Sequence, residues 1–151
     1  IVATSNAGSE FIRNRIKENG AIDKSFKDQF LGYLISENIF KSELLNRFDD
    51  IVIFKPLGEE EVSQITKLLI KELAERLIDK DIVVNFDEKI VAKIAEEGFD
   101  EQFGARPLRR FIQDNIEDQI AQKMLKDEIK RGDKIGVSVD EANNLQITIN
   151  N

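Results

Sequence analysis

Residues 104–110 read Gly104-Ala105-Arg106-Pro107-Leu108-Arg109-Arg110, and the segment they open decides how the C-terminal part of the chain is read. Pro107 suits the first position of a helix, where no backbone N–H is required. Beyond it Leu108, Ile112, Ile116, Ile120 and Met124 recur every fourth residue, which predicts the longest helix of the chain, ended by Gly132. Arg106 stands just before the Pro-started helix, where the helix end and the cation together favour an anionic ligand. The blander reading is that Gly and Pro set the helix start while three arginines lie on a solvated face. For Arg109 and Arg110 that reading, or an interface role, is preferred; Arg106 stays a candidate site residue.

Downstream of this helix, Ile135, Val137 and Val139 alternate with polar residues, as do Leu145, Ile147 and Ile149. Asp140 to Asn144 is turn material between them, so the chain should end in a β-hairpin. Upstream, Ile82-Val83-Val84 reads as a strand, and Asp87 caps a helix carrying Ile90, Val91 and Ile94 inward, with Gly98 as its stop. Glu59-Glu60-Glu61 opens a helix whose Val62, Ile65, Leu69, Leu73 and Leu77 form an apolar stripe. Pro56-Leu57-Gly58 before it is the best boundary in the chain. Residues 57–151 are therefore expected to be a complete α+β domain, with helices packed on a short sheet.

Residues 1–56 read differently. Ile1 to Thr4 and Ile51 to Phe54 are short apolar strands. Between them lie a polar helix from Ser9 to about Lys17 and a helix capped by Ser25, with Phe26, Phe30, Leu34 and Ile35 on one face. A short helix around Ser42 to Arg47 follows. This is a truncated α/β piece, and an apolar start without an initiator Met suggests part of something longer.

Two further constellations carry chemistry. Thr4-Ser5-Asn6-Ala7-Gly8 ends the first strand, where open α/β sheets bind ligands. An Asn side chain there can bond a phosphate oxygen or orient an attacking water, although Asn and Gly are also ordinary turn residues. Phe40-Lys41-Ser42-Glu43-Leu44-Leu45-Asn46-Arg47-Phe48-Asp49 presents Arg47 just before a strand. A guanidinium stays charged and can hold phosphoryl oxygens bidentately. Its plainer alternative is a surface ion pair with Asp49 or Asp50.

Composition removes whole classes of function. There are no Cys and no His, which excludes Cys/His zinc sites, thiol nucleophiles and His-based triads within this chain, and suits a reducing cytoplasm. The net charge of -7 argues against nucleic acid or anionic membrane, since phosphate neutralisation needs clustered Lys and Arg. No apolar run reaches membrane-spanning length.

In this order and spacing, Thr4-Ser5-Asn6-x-Gly8, Phe40-x-x-Glu43-x-x-Asn46-Arg47-x-Asp49 and the Gly104 to Arg110 segment resemble the second ATPase module of the Hsp100/Clp AAA+ family, from its sensor-1 strand onward. The resemblance implies that Asn6 is sensor 1, that Arg47 is the arginine finger reaching a neighbouring subunit's nucleotide, and that Arg106 is sensor 2. Residues 1–56 become the end of the AAA+ large subdomain, and 57–151 the small C-terminal subdomain packed between subunits of a homo-hexameric ring. It further implies ATP or ADP with magnesium in the intact protein and unfolded or aggregated proteins as substrates. An Hsp70 system or a Clp peptidase would be the co-worker.

The family usually has Pro where Ser42 stands. No Gly-x-x-x-x-Gly-Lys-Ser/Thr loop occurs, nor an acidic run after a strand to hold magnesium. The chain alone is therefore expected neither to hydrolyse ATP nor to hold nucleotide tightly. The loop from about Lys17 to Lys24 lacks the apolar Gly-centred tripeptide of peptidase-feeding members, and Leu31-Gly32-Tyr33 falls inside the second helix. The disaggregase branch is favoured. Alternatives are the regulatory ATPase subunit of a Clp-type protease or an oligomerisation module; a DNA-acting AAA+ protein is disfavoured by charge and motif.

Overall fold

The computed structural model describes residues 1–19, 22–100 and 103–150. The chain divides into two compact units, Ile1–Pro56 and Leu57–Asn151.

The first unit is helical: α1 is Ser9–Asn19, α2 is Lys24–Ser36 and α3 is Ser42–Leu45. Phe26, Phe30 and Leu34 of α2 form its buried centre, flanked by Phe11, Ile12, Tyr33, Phe40 and Ile53. Rings of Phe11 and Tyr33 stack with centroids 4.5 Å apart, and Phe26 and Phe30 lie 6.1 Å apart. Ile35, expected on the same face, is exposed. It sits about 100° round the helix from Leu34. The cap of α2 is Asp23, not Ser25: its Oδ1 accepts from the Phe26 N–H at 2.7 Å, and its carbonyl accepts from Lys27 N–H. Helix formation thus starts one residue before Ser25.

Neither expected strand of this unit forms. Residues 1–4 and 51–54 carry no ladder bonds, and Val2, Val52 and Phe54 are exposed. A strand exists only through its neighbours' backbone, and nothing in the described part of this unit supplies one. Gly8 makes the turn into α1 with φ +69, and a Cβ there would come within 2.4 Å of Phe30 Cε2. Glycine is required on both counts.

In the second unit, α4 is Glu59–Ile78, β1 is Val83–Phe86 and α5 is Glu88–Gly98. A long helix follows in three parts: α6, Arg106–Ile112; a π-helical turn, Gln113–Glu117; and α7, Asp118–Leu125. Strands β2, Lys134–Val139, and β3, Leu145–Asn150, end the fold. The Glu61 carboxylate reaches back to accept from the Gly58 N–H at 3.0 Å, holding the start of α4. That helix buries Val62, Thr66, Ile70, Leu73 and Leu77, an arc of about 80°, with the expected Ile65 and Leu69 only half-buried at its edge. Thr66 is tolerated inside because its hydroxyl donates to the Val62 carbonyl.

Asp87 caps α5 as expected, accepting from the Lys89 N–H at 3.1 Å. Gly98 is the last residue of that helix, and packing requires glycine there. A Cβ there would lie 3.0 to 3.2 Å from Leu108 and Phe111, so the glycine lets α5 approach α6.

The sheet has the order β1-β2-β3. β1 runs parallel to β2 with Val84 opposite Ile135 and Phe86 opposite Val137. The hairpin pairs Ile135 with Ile149, Val137 with Ile147 and Val139 with Leu145. Asp140 closes its turn by accepting from the Asn144 N–H at 2.7 Å, which holds the carboxyl below its ordinary pKa. Val84, Ile135 and Val137 face the helices; Val83, Asn85 and Lys134 face solvent. One face of the sheet is thus packed on helices, with Ile90, Ile94, Leu108, Ile116 and Ile120 at the centre of the core.

Candidate functional site

Arg106 is the first residue of α6, presented by a tight loop. Gly104 N–H donates to the Asp100 carbonyl at 2.7 Å, Phe103 N–H donates to Asp100 Oδ1 at 2.9 Å, and Gly104 has φ +67. Residues 101 and 102 of that loop lie outside the described residues. Leu108, fully buried two positions later, pins the helix to the core next to Gly98. The Arg106 side chain is exposed and, among the described residues, has no hydrogen bond or ion pair.

Its neighbours are occupied differently. Arg109 reaches α4 and pairs with Glu72 at 3.0 Å, so it belongs to the scaffold of this unit. Arg76 of α4 pairs in turn with Glu117 in the π-helical turn. Both pairs are partly solvated, which limits what each contributes to about 1 kcal/mol or less. Arg110 is exposed.

Arg47 and Asn6 lie in the first unit. Arg47 follows α3 in a turn, where its N–H donates to the Leu44 carbonyl and its side chain is exposed. Neither acidic partner suggested by sequence takes it. Asp50 instead accepts from Lys27 Nζ at 2.7 Å and from the Ile51 N–H, and the Lys27 bond holds its carboxyl below the ordinary value. Asn6 is exposed just before the Gly8 turn, its carbonyl accepting from the Ser9 N–H. The Ser5 hydroxyl accepts from Ala7 N–H, leaving the Asn6 amide outside the turn's own bonding. With the expected strand absent, Asn6 stands on a segment outside any strand rather than at a sheet edge.

A shallow cleft of about 380 Å³ lies between α5 and the β2–β3 turn, lined by Lys89, Lys93, Glu96, Asp140 and Asn143 among others. None of the three sequence-derived site residues lines it. Lys93 is the buried charge there, and it pairs with Glu97 at 2.7 Å. Among the described residues, no group of three or more His, Cys, Asp or Glu side chains is placed to hold a metal ion, and no helix is long and apolar enough to cross a membrane.

The class of the second unit follows from its build, four helical stretches on one face of a mixed three-stranded sheet with a closing hairpin. Residues 57–137, just over half of the chain, match the family described as the C-terminal, D2-small domain, of ClpB protein, and the chain belongs to that family. Similarity extends into the first unit as well. The chaperone protein ClpB of Clostridium tetani is 39% identical over 139 residues, covering 92% of this chain and 16% of that protein. The Staphylococcus aureus (strain COL) chaperone protein ClpB is 36% identical over 149 residues, covering 99% and 17%. Among solved structures, an S. cerevisiae Hsp104:casein complex in an extended conformation matches with a TM-score of 0.76 and 34% identity, covering 95% of this chain and 25% of that one. The chain spans about a sixth of the length of the curated relatives it matches.

Proposed function

We propose that this chain is the nucleotide-sensing and ring-assembly end of an ATP-driven protein disaggregase. Residues 57–151 act as the small subdomain and 1–56 as the end of the large one. Arg106 is the sensor that contacts the nucleotide of its own subunit, Arg47 the finger that stabilises phosphoryl charge in the next subunit, and Asn6 the group that orients the attacking water. The observation that carries the reading is the division of labour among the α6 arginines. Arg109 is spent on Glu72, while Arg106, at the helix start, is exposed and unpaired among the described residues. A guanidinium presented beside a helix N-terminus is suited to a polyphosphate.

In the intact protein the partners are neighbouring subunits of a homo-hexamer and unfolded or aggregated polypeptides, in the cytoplasm, with ATP and magnesium supplied through upstream motifs. Placement of Leu31-Gly32-Tyr33 inside α2, rather than on a loop, supports the disaggregase branch over a peptidase-feeding one. The test is ATP turnover in a full-length Hsp100 protein carrying this chain. Arg47→Ala should lower turnover by about a thousandfold, the lower end of what an arginine finger contributes. Arg106→Ala should abolish nucleotide-dependent turnover, and Arg109→Ala should retain it. Turnover that persists in both the Arg47 and Arg106 variants would make them ordinary surface arginines.

A further inference from the structure

A regular helix advances about 100° per residue, so residues spaced by four drift about 40° at each step. From Leu108 to Ile120 that drift reaches about 120°, enough to carry Ile120 off a stripe begun by Leu108. The structure nevertheless buries all four: Leu108, Ile112, Ile116 and Ile120 are 0, 3, 0 and 1% exposed. The π-helical turn accounts for it. Asp118 N–H donates to the Gln113 carbonyl five residues back, so the turn takes in one extra residue. Leu108 and Ile120 then stand about eleven ordinary steps apart, and the drift falls to about 20°. The same extra residue brings Arg109 and Glu117 to within about 20° around the axis, which is why both reach α4, at Glu72 and Arg76.

Either flank would keep its place if one residue were removed and the turn became ordinary α-helix. Stability therefore does not explain the extra residue. The turn is braced from within by Asn115, whose side-chain amide donates to the Phe111 carbonyl at 3.0 Å. π turns inside α-helices are rare and concentrate at functional sites.

We propose that Gln113–Glu117 is a compliant joint in the helix that begins with Arg106. Through it α6 shifts against α7 and the sheet when an anionic ligand engages Arg106. This rests on the reading of Arg106 given above. The joint transmits the ligand's presence to the core stripe because Ile116, inside the turn, is fully buried.

Deletion of Asp114 tests it, since that side chain is exposed and makes no bond or ion pair among the described residues. In the 151-residue chain the deletion should leave the thermal midpoint unchanged or raise it, because stripe and ion pairs stay in register. Removal of both Gln113 and Asp114 should rotate Ile116 and Ile120 by about 100° and abolish cooperative unfolding. In the full-length protein, the single deletion should lower ATP turnover at least about fivefold while rings still assemble. A single deletion as damaging to stability as the double one overturns the register argument. Unchanged turnover after the single deletion, with Arg106→Ala inactive, overturns the joint while sparing the reading of Arg106. If Arg106→Ala is itself active, that reading fails and the joint fails with it.

Discussion

Gly8→Ala is the substitution whose cost follows most directly from the geometry. The residue sits at φ +69, a conformation that costs an L side chain about 1 to 2 kcal/mol. The new methyl would lie 2.4 Å from Phe30 Cε2 and 2.9 Å from Cζ, so the ring must move. Phe30 is 5% exposed within a small aromatic cluster, and overpacking of this kind costs about 1 to 3 kcal/mol. The sum is about 2 to 5 kcal/mol, a large share of what a unit of this size can hold. The chain has one tyrosine and no tryptophan, and Tyr33 stacks on Phe11 within this cluster. Tyrosine fluorescence in a urea titration therefore reports the first unit alone, while far-UV circular dichroism follows both. With a slope near 1 kcal/mol per molar urea, the Tyr33 midpoint should fall by about 2 M or more. A Tyr33 transition shifted by under about 0.5 kcal/mol would refute both the left-handed turn and the close approach of Gly8 to Phe30.

Two further outcomes are expected. Gly98→Val should drive α5 and α6 apart, because the backbone Cα of Leu108 would lie 3.1 Å from the new Cβ; a loss of at least about 2 kcal/mol should lower the second unit's thermal midpoint by roughly 8 °C or more. Asp50 should titrate below the ordinary carboxylate value by carbon-detected NMR, and Lys27→Met should bring it back up, since the Lys27 bond is the chief cause of the shift. Because the folded pKa is the depressed one, any stabilisation from this pair is complete above the unfolded value near 3.8 and fades as pH falls through the folded one. An Asp50 titration indifferent to Lys27 would show that the 2.7 Å contact does not persist in solution.

Much of the second unit was legible in the residues. The Asp87 cap and the alternating hairpin are local signals, and each corresponds to what forms. The four-residue spacing from Leu108 to Met124 predicts only a regular helix; the extra residue in the turn Gln113–Glu117 comes from the structure. The division among the arginines was legible only in part. Sequence placed Arg106 at the helix start, but nothing local announces that Arg109 meets Glu72, a residue 37 positions away.

By itself the sequence determined the order of the helices, where most of them begin, the closing hairpin and the absence of thiol and imidazole chemistry. These depend on dihedral preferences, caps and side-chain period, which act over a few residues. Tertiary structure decided the rest. Residues 1–4 and 51–54 stay unpaired because ladder bonds need a second backbone, whatever the β-propensity of Ile and Val. Thr66 and Ile70 displaced Ile65 and Leu69 from the centre of the α4 stripe because the core accepts an arc rather than a spacing. Gly98 matters for the helix it lets approach, and Asp50 belongs to Lys27 rather than Arg47, because contacts between elements are set by how they pack and not by how near they lie along the chain.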